Sequence, residues 1–119
     1  WANNVGYEGS DVFGTAENYT KLFEEAYGYT PDYVCASASA VGAIFQNAIE
    51  TAKSFDPVEV RNAISDSDFT TFWGPIKYDE KGQITSLNPP VSQIQDKELK
   101  VLHPEEIKQA DFVYPKPGW

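Results

Sequence analysis

Hydrophobic positions recur at helical spacing through the first half of this chain and at near-alternating spacing through the second. Residues 1 to 14 follow neither rule, because Asn3, Asn4, Gly6, Gly9, Ser10, Asp11 and Gly14 break any period. An irregular opening is expected there. Tyr19, Leu22, Phe23, Ala26 and Tyr27 then fall on one helical face. Thr15 suits the N-cap of this helix, Glu17 puts a carboxylate at the positive end of its dipole, and Gly28 suits its stop. Thr30-Pro31-Asp32 reads as a turn and Tyr33 to Ala36 as a short buried strand, with Ser37 or Ser39 capping a second helix. Along that helix Val41, Ile44, Phe45, Ala48, Ile49 and Ala52 form the stripe expected to face inward. Asp56-Pro57-Val58-Glu59 combines an Asp N-cap, Pro at N1 and Glu at N3. The short helix it opens should bury Val60, Ala63 and Ile64 and end in Ser65-Asp66-Ser67-Asp68.

Beyond residue 68 the spacing shortens. Phe72, Trp73, Ile76 and Tyr78 are strand signals around a Gly74-Pro75 punctuation, followed by the polar turn Asp79-Glu80-Lys81-Gly82 and a second extended run from Ile84. Val91 to Gln95 and Leu99 to Leu102 alternate around Asp96-Lys97-Glu98 and predict a hairpin. Pro104 to Ile107 fits one helical turn, and Tyr114-Pro115-Lys116-Pro117-Gly118-Trp119 an extended tail. The predicted order is therefore helix, strand, helix, helix, then several strands. That is an α/β class in which the first part resembles a βα segment, while the last part lacks helices to cover its sheet. The whole reads as a piece of a larger α/β protein. A chain that opens at Trp1 and contains no methionine fits a processed product or an excised segment.

Length and composition narrow the classes. With 119 residues, 41% of them hydrophobic, there is enough for one modest core and no room for two ordinary domains. A net charge of -9 with scattered Lys and Arg argues against nucleic acid and against anionic membrane surfaces. No apolar run has the length of a bilayer span.

Candidate chemistry is sparse. Cys35 is the only cysteine, so no intrachain disulfide is possible, and no neighbouring cation in sequence lowers its pKa. A buried structural thiol and a thiol nucleophile are both compatible with that position. His103 is the only histidine, and without a second imidazole or a cysteine pair it makes no ordinary zinc site. Asp66 and Asp68 are paired carboxylates, more simply read as a solvated loop. Asp79 to Gly82 lacks the alternating oxygen ligands of a calcium loop. The start of the second helix is rich in small residues (Ala36, Ser37, Ala38, Ser39, Ala40, Gly42 and Ala43), which serves either tight packing or a surface left open to a ligand. No cofactor or metal is expected, and function is expected to rest on binding.

These motifs, in order, carry a resemblance. Tyr27-Gly28-Tyr29-Thr30-Pro31-Asp32-Tyr33 follows an amphipathic helix, and the small-residue segment ends in Ala48-Ile49-Glu50-Thr51-Ala52. Asp56 to Ile64, Phe69 to Asp79 with Gly82, Gln93-Ile94-Gln95 and the terminal Tyr114 to Trp119 come next. The set resembles the C-terminal part of type I periplasmic solute-binding proteins of the leucine/isoleucine/valine class, which serve ABC importers, from about Val12 onward. The resemblance implies a partial periplasmic-binding-protein type I fold, with residues 1–84 belonging to the first lobe and 85–119 forming hinge-crossing strands and a tail. It implies a non-enzymatic protein, periplasmic or extracellular, that closes two lobes on an amino acid or similar solute and delivers it to the membrane permease. Tyr33, through its ring face or hydroxyl, then Cys35 and Ser37, are the positions it aligns with the cleft, Ser37 lying near a helix N-terminus suited to a carboxylate.

Two other readings stand beside this one. The same fold could form the ligand-sensing domain of a receptor or regulator, although the tail ending at Trp119 speaks against a fused output domain. Alternatively, Cys35 could serve a thiol enzyme. The isolated chain is also expected to self-associate through strand edges that a missing lobe would cover.

Overall fold

The computed structural model describes residues 7–86 and 90–115, which fall into two units divided at residues 87 and 88. The expected tail beyond Pro115 and the first six positions lie outside the described residues. The architecture is mixed helix and sheet. In order it comprises α1 (Ala16–Tyr27), α2 (Tyr33–Ala52), α3 (Pro57–Ser65), β1 (Asp68–Thr71), β2 (Gly74–Lys77), β3 (Val91–Gln95), β4 (Glu98–His103) and a 3-10 turn (Glu105–Ile107).

In the first unit the caps of α1 and α3 are the expected ones. The Thr15 side chain accepts the Asn18 amide, and Gly28 closes α1 in the left-handed conformation at φ 76. Asp56 accepts the amides of Val58 and Glu59 ahead of Pro57. Val60 is buried, with Ala63 and Ile64 half-buried beside it. In α1 the inward positions are Ala16, Tyr19 and Phe23, while Leu22, Ala26 and Tyr27 are exposed.

The second helix departs from expectation in three ways. Tyr33 to Ala36 is the first turn of α2, so the helix–strand–helix–helix order becomes three consecutive helices. The cap is Asp32, whose carboxylate accepts the Cys35 amide at 2.8 Å, and neither Ser37 nor Ser39 fills that role. The capping carboxylate outweighs the strand preference of Tyr-Val-Cys, since local propensity is the weaker signal. Finally, the buried face is Ala36, Ala40, Ala43, Ile44 and Ala48, while Val41 and Phe45 point outward.

Aromatic packing explains that choice of face. Ala36 and Ala40 form the core with Tyr19 and Phe72, flanked by Phe13, Phe23 and Trp73. Tyr19 stacks on Phe72 at 4.3 Å, and Phe13 meets both rings edge-on at 5.1 and 5.0 Å. Small side chains on α2 leave room for these rings. Packing thus accounts for the inward alanines.

β1 and β2 form an antiparallel hairpin in which Thr71 pairs with Gly74, so Phe72-Trp73 makes the reversal. The expected punctuation Gly74-Pro75 opens β2 instead. Thr71, fully buried, holds the turn: its hydroxyl donates to the Gly74 carbonyl at 2.9 Å and accepts the Trp73 and Gly74 amides at 3.2 Å. The irregular opening contributes too. Asp11 accepts the Phe13 amide at 2.8 Å and the Phe72 amide at 2.7 Å, and Ser10 donates its amide to the Thr70 carbonyl. Gly9 passes so close that an added Cβ would lie 2.5 Å from the Phe72 nitrogen. After β2, Asp79 accepts the Lys81 and Gln83 amides at 2.9 Å, closing the predicted turn, and a single bridge joins Tyr78 to Ile84.

The second unit is the predicted hairpin. β3 and β4 pair antiparallel around Asp96-Lys97, both at positive φ (51 and 67), the conformation of a type I′ turn. Val101 and Ile107 are buried together with Pro104. Glutamine amides hold the segment that follows: Gln93 brackets the Val113 amide and carbonyl, Gln95 donates to the Asp111 carbonyl, and Gln109 accepts the Val101 amide. Among the described residues every strand pairing is antiparallel.

Candidate ligand-contact site at the start of the second helix

The three residues aligned with a ligand cleft all lie in the first turn and a half of α2. Tyr33 and Ser37 are four positions apart and share one side of the helix, whereas Cys35 lies on the other. Tyr33 is 66% exposed, leaving its ring free to cover a bound group. Cys35 and Ser37 are half-buried. The Ser37 hydroxyl donates to the Val34 carbonyl at 3.0 Å, with its oxygen still able to accept.

The electrostatics of this helix start are set by Asp32. Its carboxylate occupies the amide of Cys35, the group an anionic ligand would otherwise take. The Cys35 amide, and then its thiol, hold the Asp32 carboxyl below its usual range. Nearby, the Cys35 thiol pushes the Tyr29 hydroxyl up. Tyr29 packs edge-on against Phe23 at 5.3 Å, and Phe23 meets Tyr27 at 4.6 Å. Burial raises Tyr19, against the opposing effect of its 3.1 Å hydrogen bond with Ser39. Carboxylate preference at Ser37 therefore gains no support: the helix begins four residues earlier and the Cys35 amide in its first turn is already taken by Asp32. The arrangement offers an aromatic face, a hydroxyl and an acidic cap.

Sequence reasoning missed Asp32 as a cap and Tyr29 as a neighbour of Cys35. An Asp directly before an apolar helical run is a recognised N-cap signal and could have located the first. Nothing local marks the second.

Other candidates resolve as follows. Asp66 and Asp68 sit on the rim of an open groove of about 590 Å³ between α2, α3 and β1, lined also by Asn47, Thr51, Glu59 and Asn62. Lys77 pairs with Asp68, and the Ser67 hydroxyl donates to the Ala63 carbonyl at 3.0 Å. Among the described residues no group of three or more His, Cys, Asp or Glu side chains is placed to hold a metal, and no helix is long and apolar enough to cross a membrane. No model of a known protein family matches this chain.

Proposed function

We propose that this chain is part of a two-lobed solute-binding protein of the leucine/isoleucine/valine class, working with the membrane permease of an ABC importer. In this reading it has a partial periplasmic-binding-protein type I fold, lies in the periplasm or outside the cell, and grips an amino acid or similar solute without transforming it. The observation carrying the reading is the ordered set of motifs on successive capped elements, from α1 with Gly28 through Asp32 at α2 and Asp56-Pro57 at α3 to the Phe69–Gly82 hairpin and turn. The exposed Tyr33 ring, with the Ser37 hydroxyl one helical turn on, gives the cleft-facing side an apolar cover and a polar handle. Cys35 lies on the other side of α2 from Tyr33 and Ser37, so it does not share the face they present.

Calorimetric titration of the two-lobed protein containing this chain, with a panel of aliphatic and aromatic amino acids, tests the reading. Saturable heat with one class is expected, and Tyr33→Ala should weaken it about tenfold, roughly the 1.4 kcal/mol of one aromatic contact. No heat with any member, together with turnover of some substrate, would refute it.

A further inference from the structure

We draw no further inference here: the strongest candidate, the open groove between α2, α3 and β1 with Glu59, Asp66 and Asp68 along it, rests on a cluster of acidic side chains, and no buried polar side chain without a partner among the described residues points to a ligand there.

Discussion

Replacing Asp11 by alanine tests how a residue in the unpatterned opening holds together parts of the chain 61 positions apart. One carboxylate oxygen accepts the Phe13 amide at 2.8 Å and the other the Phe72 amide at 2.7 Å. Hydrogen bonds to a charged partner each contribute about 1.5–3 kcal/mol. Asp11 is half-buried, so solvent screening favours the low end and the pair amounts to about 3 kcal/mol. The Phe72 amide would also lose its acceptor beside a fully buried ring. Urea unfolding followed by circular dichroism should show that loss, with little change in the slope of the transition. Asp11→Asn separates the contributions, because its amide offers one acceptor oxygen and turns a donor toward the second N–H. It should fall between wild type and Asp11→Ala. A shift of Asp11→Ala within about 0.5 kcal/mol, the usual range for a surface change, would show that the carboxylate does not hold this junction.

Two further outcomes are expected. Phe72→Ala should cost about 3–5 kcal/mol, because its fully buried ring meets Tyr19 and Phe13; an unchanged midpoint in thermal or urea unfolding would mean that the aromatic cluster is not part of the core. Asp32, whose carboxyl is held below its usual value of 3.8, contributes stability that is complete above that value and lost as pH falls through the depressed native one. Acid titration of helix content should therefore show a late loss in the wild type that is missing in Asp32→Asn, and superimposable acid limbs would count against the cap.

Legibility in the sequence followed how local the controlling interaction is. Thr15, Gly28, Asp56-Pro57 and the Asp96-Lys97 turn act within a few residues, and each feature is visible in the order of residues. The Phe72-Trp73 reversal was not visible, because a threonine hydroxyl and a carboxylate 61 positions away supply what Gly or Asn usually provides in a tight turn. The inward face of α2 was obscured for another reason. Apolar residues surround almost the whole helix, so periodicity leaves the choice of face to the rings that pack on it. At the candidate site Tyr33, Cys35 and Ser37 were grouped by the resemblance, and with Tyr33 to Ala36 read as a strand their spacing did not set Tyr33 and Ser37 together. The separation of Cys35 depended on recognising that the segment is helical from Tyr33 onward.

Tyr19 and Phe72 share their packing with Ala36 and Ala40, and this ties the evolutionary drift of the four positions together. A lineage that shrinks the ring at 72 leaves a void that only a bulkier side chain at 36 or 40 refills, while enlarging either alanine first meets an intact ring. Such packing favours substitution in compensating pairs, and related chains should then show correlated side-chain volumes at these positions.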